Sequence, residues 1–575
     1  MVRRIRSISL WLVAVSLALA TESAFAQGTE RYLPSGSQIV VQVDAHQKTK
    51  AAYDRTALGQ MMQGDTGKFL REFWRWALDA GEKAGDHFDV LSKDDATLIR
   101  ESLAILDRLG EEGLALGIEV KQVWPPDARL VVVLPKLATG TPNLPKLLAG
   151  LRAKSPRPDE IKEEKVEGRN VTHMSMPFVN LDWWAQGDDM LLTIGTGTAA
   201  EYLKALDTGK TGLADNLAYK KLLELGAFPT RSRAYLDVPN LVKLADINAE
   251  ASRTVDELGL RGLGPVLSIA GYDGAAQRSI TEVETIGARK GFVAMMSEKK
   301  ITLDSLPPMP SDLTSFSAGN TGAGQAYAIF LDMAEKVGGI YFPDQVGDIK
   351  NGIKGFEDLI GVDLRKDLFG SFDNGYVQYS SPSEGILNMG STALFKVKDE
   401  ARLKKALSNL IAAVPQLPGV EMGFKKRNYR GAEIVEFTIQ SPGSNMMICF
   451  CVYKGHFGYA STPQPLQGYI LRADGVLPTW KAEGKFAKAL EAIPKEFTSI
   501  SISDPQPMVE GALAAAPGLI SIANGFVSFL PDVAPFDVSI IPHAQLATRH
   551  LFPSVSYSID DGRRIRSDSR SSLGW

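Results

Sequence analysis

Apolar and polar positions alternate in short runs along much of the chain, and each run leads into a stretch of helical period. Arg129–Leu134 and Thr392–Val397 read as strands that feed helices over Leu144–Ala153 and Ala401–Val414. Two or three alternating strands follow each time, over Val171–Met176 with the hairpin Trp183–Ile194, and over Glu433–Ile439 with Met446–Ala460. Two helices come next, then a strand at Arg233–Leu236 or Thr498–Ser503. Each series closes on a hairpin turned at Gly274 or Gly562.

The same series therefore occurs twice. "WWAQGDDMLLTIGTGTAAEYLKALDTG" parallels "CVYKGHFGYASTPQPLQGYILRADG", each a hairpin, a turn and a helix ending in Gly209 or Gly475. "NLAYKKLLELGAFPTRSRAYLDVPNLVKL" parallels "GKFAKALEAIPKEFTSISISDPQPMVEGAL", and "LGPVLSIAGYDG" parallels "LFPSVSYSIDDG". The earliest pair is "IVVQVDAHQ" with "YAIFLDMAE". The predicted class is α+β, with mainly antiparallel sheets, packed helices and a ferredoxin-like (split βαβ) kernel in each of two tandem copies. The division is residues 1–26 as a signal peptide, 27–300 as the first copy and 301–575 as the second.

The N-terminus predicts export. Arg3, Arg4 and Arg6 precede an apolar run from Ile8 to Ala20, and Ala24-Phe25-Ala26 is a small-x-small cleavage site. No later run is expected to span a bilayer. Gly518 to Leu530 comes nearest and reads as a buried helix, so the mature chain is expected to carry no membrane span. Three Arg and one Glu leave with the signal, taking the net charge from −4 to near −6. This unclustered acidic balance excludes an electrostatic footprint for nucleic acid. Cys449 and Cys451, the two cysteines of the chain, fall two apart on a strand and read as core, not as a disulfide framework.

The stretch G-T-G-T-A-A, Gly195 to Ala200, outlines a dinucleotide turn between a strand and a helix. The second copy keeps that outline with Ser461 and Pro463 in place of Gly195 and Gly197, so no cofactor is assigned. Thr196 or Thr198 caps the helix on this reading. Asp44, Asp332, Asp237 and Asp504 each read as a strand end and helix cap. No histidine pair has metal-ligand spacing, and no metal site is assigned.

Two sets of residues remain as candidates. "KFLREFWRWALDAG", read as present in the first copy alone, carries Phe69, Phe73, Trp74 and Trp76 at helical spacing. It is either buried between the copies or a surface for an envelope or extracellular protein, peptide or glycan. Trp183 and Trp184 are adjacent on a strand, so one is expected to face outward. His543 and His550 are weak polar candidates, seven residues apart in "IPHAQLATRHLFPS".

"QGDDMLLTIGTGTAAEYLKALDTGKTGLADNLAYKKLLE…RSRAYLDVPNLV" resembles a family of exported bacterial proteins known only as a domain of unknown function. "YLPSGSQIVVQVD" after the signal fits the same pattern, and the second copy departs from it by losing Leu-Ala-Asp. The resemblance implies no activity and no site residues. The reading is a periplasmic or extracellular protein, a non-catalytic binding or scaffold module. The alternatives are an envelope hydrolase with a site assembled from distant residues, and a carrier of an apolar ligand between the copies.

Overall fold

The computed structural model describes residues 28–574, except 88–92, 124–126, 154–160, 176–178, 227, 297, 386–389, 414–420, 442–443 and 531–532. The expected signal peptide lies outside the described residues. The fold is mixed helix and strand, organised on one large antiparallel sheet.

The chain opens with β1 (Ile39–Val43), α1 (His46–Tyr53), α2 (Ala57–Gln63), α3 (Asp65–His87) and α4 (Lys93–Glu112). Next come β2 (Leu114–Gln122), β3 (Asp127–Leu134), α5 (Leu144–Ala153), β4 (Ile161–Val166) and β5 (Arg169–Ser175). The hairpin β6 (Asn180–Gln186) and β7 (Asp189–Gly195) leads to α6 (Ala199–Asp207), α7 (Leu217–Glu224) and β8 (Thr230–Leu236). Helices α8 (Val238–Lys243) and α9 (Ala249–Glu257) precede the hairpin β9 (Leu263–Asp273) and β10 (Ala276–Thr285).

The second series starts with β11 (Ser315–Gly322), α10 (Ala323–Tyr341) and α11 (Pro343–Ile360). It continues through β12 (Phe372–Ser380), β13 (Ser391–Val397), α12 (Glu400–Ala413), β14 (Glu421–Tyr429), β15 (Ala432–Ser441), β16 (Ser444–Tyr453) and β17 (His456–Ala460). Last come α13 (Pro463–Ala473), α14 (Gly484–Leu490), β18 (Ser499–Ser503), α15 (Gln506–Val527), α16 (Ala544–Thr548), β19 (Ser554–Asp560) and β20 (Arg564–Ser571).

Strand pairing follows one unbroken path. The first ten strands lie in the order 4-5-6-7-3-2-1-8-9-10, each antiparallel to its neighbours. From β10 the path crosses to β20 and runs 20-19-18-11-12-13-17-16-15-14. The second run is the first in reverse, ten added to each number. The two meet at β10 and β20, with Gln277 opposite Ser571 and Glu284 opposite Arg564.

This order corrects several expectations. A split βαβ kernel would set β8 beside β3, but β2 and β1 lie between them. "YAIFLDMAE" is not a strand; it lies within α10, and the partner of β1 in the strand order is β11. Asp332 is therefore a mid-helix residue, paired with Lys336 one turn on at 3.0 Å. The α3–α4 region also has a counterpart, since α10 and α11 occupy the same place between β11 and β12.

Helices cover both faces of the first half. Trp184 packs with Val40, Tyr202, Leu203 and Tyr235 against α6 and α7, while Trp183 packs with Ile105, Leu109, Leu144 and Leu147 against α4 and α5. Adjacent strand residues point to opposite faces, yet both indoles are buried, so neither is the outward tryptophan the sequence suggested. Cys449 and Cys451 sit in the main core of the second half with Phe316, Leu394, Tyr469 and Phe497. Burial pushes their thiols up to about 11 and about 12.

The halves are joined by more than the sheet. Paired charges flank the β10–β20 seam. Arg278 reaches Asp568 through two bonds, at 3.0 and 2.6 Å, and Arg289 reaches Asp560 through two, at 2.5 and 2.6 Å. Helices are also exchanged. In the first half α3 packs on α15 of the second, and α10 packs back on α9, where Lys336 pairs with Glu257 at 3.2 Å.

Candidate functional site

The glycine turn resolves into local structure. β7 pairs antiparallel with both β6 and β3, so no parallel βαβ crossover forms there. Gly195 is required because a Cβ would sit 2.3 Å from the Ala128 carbonyl oxygen. Thr198 caps α6: its hydroxyl accepts from the Glu201 N–H while Glu201 accepts from the Thr198 N–H. Replacing Thr198 with alanine is expected to cost about 1 kcal/mol. The measurement is the urea midpoint, and an unchanged midpoint would remove the cap from this account. Asp237 likewise caps α8 through the Asn240 N–H. Asp44 does not cap α1; it pairs with Arg233 at 2.9 Å and Lys48 at 3.2 Å. Asp504 accepts from the Gln506 N–H near the start of α15 and pairs with Lys485.

The histidine candidates sit at opposite ends of the five-residue α16. His543 is exposed, and His550 Nε2 accepts from Arg549 Nε at 2.9 Å. No carboxylate is placed against either ring among the described contacts. A closer polar pair was not legible in the sequence: His173 Nδ1 lies 2.5 Å from Asp182 Oδ1 on the paired strands β5 and β6.

A second such group lies inside the second half. Arg472 on α13 contacts Glu384 and donates to the Tyr379 hydroxyl at 2.9 Å, all three buried. Burial drives the Glu384 carboxyl above its ordinary range, offset in part by Arg472. Gly468, one turn before Arg472, makes the room; a Cβ there would lie 2.1 Å from Glu384 Oε1. These residues are 88 positions apart, so no local motif announces them. The buried pair opens to no described cleft and reads as structural.

Clefts occur elsewhere in the second half. One of about 470 Å³ is lined by Leu303, Pro308, Met309 and Trp480. Another, of about 180 Å³, is lined by Lys396, Asn320, Asn374, Tyr376 and His456. Burial lowers the His456 pKa. Neither cleft includes His543 or His550.

The aromatic helix α3 divides its candidates between two faces. Phe69, Phe73 and Trp76 surround Phe536, with ring centres 6.1, 5.6 and 5.4 Å away, and the Trp76 indole donates to the Ala534 carbonyl at 3.0 Å. Those three residues dock α3 on the second half, together with Leu513, Ala516 and Ile520 of α15. Trp74 points away, 67% exposed, in one row with Leu70 and Leu78.

Helix α15 adds a second outward row that the sequence reading missed. The stretch from Gly518 to Leu530 is buried only at Ile520 and Val527. Its part up to Val527 ends a helix of 22 residues, and Leu519, Ile522 and Phe526 are exposed on it, the last two at 62% and 72%. Phe529 continues the row just past the helix end. By length and composition α15 could cross a membrane, and only 11% of its most apolar window is buried. Spacings of three and four put these residues on one face. Charge-free sequence from Gly511 to Pro531 was the available signal; which side faced out required the packing.

No protein-family model matches the chain, and no curated protein matches it. Among solved structures it is similar to the protein of "Structure of crystal form III of TP0453", at 10% identity and a TM-score of 0.24, over 46% of this chain and 83% of that one. "Structure of crystal form IV of TP0453" matches at 10% identity and a TM-score of 0.23, over 46% and 82%.

Proposed function

We propose that the chain is an exported, tandemly duplicated, non-catalytic binding module that works through the outward face of α3 and α15. The single observation behind this is the exposed apolar surface of those two packed helices, Leu70, Trp74 and Leu78 on α3 and Leu519, Ile522 and Phe526 on α15, with Phe529 just beyond it. Soluble proteins seldom leave large side chains grouped in this way without a partner. The reversed strand order supports duplication, because two like halves meeting about a local two-fold generate that order. The leader pattern at Arg3 to Ala26 supports export.

The test is site-specific photo-crosslinking in the cell that makes the chain, from residue 74 or residue 526, with Lys204 on the exposed side of α6 as control. Adducts from 74 and 526 but not from 204 are expected, of protein or lipid mass. Adducts no more abundant than at 204 would overturn the reading.

A further inference from the structure

We infer that the α3–α15 face rests on a lipid bilayer, with its apolar rows in the interfacial region and α15 parallel to the membrane plane. This names the partner of the binding surface and rests on that reading.

The argument begins with charge. A protein partner surface depletes charge at its core but is bounded by a polar rim, where charged residues return within a short distance. The stretch Gly511 to Pro531 carries none, and its helical part, Gly511 to Val527, is about 26 Å long. The exposed apolar residues of α10 and α11 give the contrast. There Phe330 and Leu359, with Phe342 between the two helices, are interleaved with charged pairs, Lys336 with Asp332, Lys350 with Glu335 and Lys354 with Asp358. That surface carries charge between its apolar residues, and α15 from Gly511 onward does not.

Two ordinary explanations for so apolar a helix are removed by its position. A core helix would be buried, and α15 is largely outside. A leader would lie at the N-terminus, and α15 starts at Gln506.

A flat orientation follows from what holds the helix. Its inward side is engaged by Phe69, Phe73 and Trp76 through Leu513, Ala516 and Ile520. Asn524 both donates to and accepts from the Phe536 backbone, at 3.0 and 2.7 Å. Crossing the bilayer would sacrifice all of these contacts, whereas lying in the interface keeps them. Helix α3 completes an interfacial outline. Trp74, 67% exposed, suits the headgroup boundary, and the neighbouring charges of α3 are paired, Arg75 with Glu72 at 2.9 Å and Lys83 with Asp79 at 3.0 Å.

The test is flotation of the purified full chain with vesicles of phosphatidylethanolamine and phosphatidylglycerol at 3:1 by ~mole ratio, mixing zwitterionic and anionic headgroups as a membrane surface does. The chain is expected to float, with tryptophan emission shifted to the blue by an amount that Trp74→Phe reduces. Ile522→Asp with Phe526→Asp is expected to lower the bound fraction about tenfold or more, since a carboxylate resists the acyl border. Both sites are exposed, so the variant folds, and circular dichroism checks that it has. Leu223→Asp, on an exposed position of α7, is expected to float as the parent does. A parent chain that stays at the bottom of the gradient overturns the inference, as does an Asp variant that floats equally well. Protein adducts from residues 74 and 526 without flotation would leave the binding module standing and remove the lipid; the loss of both would remove both.

Discussion

Replacing Arg472 with alanine is expected to destabilise the protein by about 3–5 kcal/mol, because it strands a buried carboxylate. Glu384 already has one oxygen with no partner, and Arg472 supplies the contact to the other. The Tyr379 hydroxyl loses its donor as well. The pair Glu384→Gln with Arg472→Met keeps volume and removes both charges, and it is expected to recover most of the loss.

The loss has a defined pH dependence. Burial raises the folded-state Glu384 pKa above its ordinary 4.5 even beside Arg472. Without the guanidinium, desolvation acts unopposed and raises it further. A group whose folded pKa exceeds its unfolded one favours folding below the unfolded value and loses that contribution as pH rises through the folded value. The deficit of Arg472→Ala is therefore expected to be smallest below about pH 4.5 and to grow toward neutrality. Denaturant titrations of parent and variant across that range measure it. A deficit that stays constant with pH, or lies below about 1 kcal/mol, would show that Glu384 does not depend on Arg472.

Replacing Arg289 with alanine is expected to cost about 3 kcal/mol and to loosen the seam between the halves. Asp560 is almost fully buried and receives two bonds from Arg289. The Gly562 N–H, at 2.9 Å, is a much weaker substitute for a guanidinium. Asp560 ends β19 and Arg289 follows β10, so the pair fastens the C-terminal hairpin to the first half. Faster amide exchange along β10 and β20 is the expected signature, with β4–β5 and β14–β15 at the far ends unchanged. Uniform exchange along the whole sheet would mean that the seam is not fastened locally.

Much of the local structure was legible in the sequence. A threonine cap at Thr196 or Thr198 was expected at the start of α6 and Thr198 provides it, and Gly209 and Gly475 follow α6 and α13 in the left-handed region, at φ of 67° and 74°. The hairpins at Gly274 and Gly562 were placed correctly between their strands. β11 was not found, since "SFSAGNTG" is small and polar with no apolar alternation. It is a strand because β12 and β18 pair with it on either side. "YAIFLDMAE" was apolar enough to imitate a strand, a known ambiguity of short apolar runs.

The candidate surface was half legible. The stripe around Trp74 stood out, but periodicity cannot tell the row that docks from the row that is left over. Phe69, Phe73 and Trp76 went inward because Phe536, more than 400 residues later, provides the pocket they surround.

The sequence alone determined the periods, caps and turns, because those depend on residues within a turn or two of one another. The tertiary structure alone decided which faces meet. That choice set both tryptophans of β6 in cores, closed the sheet across β10 and β20, brought Arg472 to Glu384 and left the apolar side of α15 outward. Each depends on burial between segments far apart in the chain, and burial is a property of the assembled surface, which local patterning constrains but does not select.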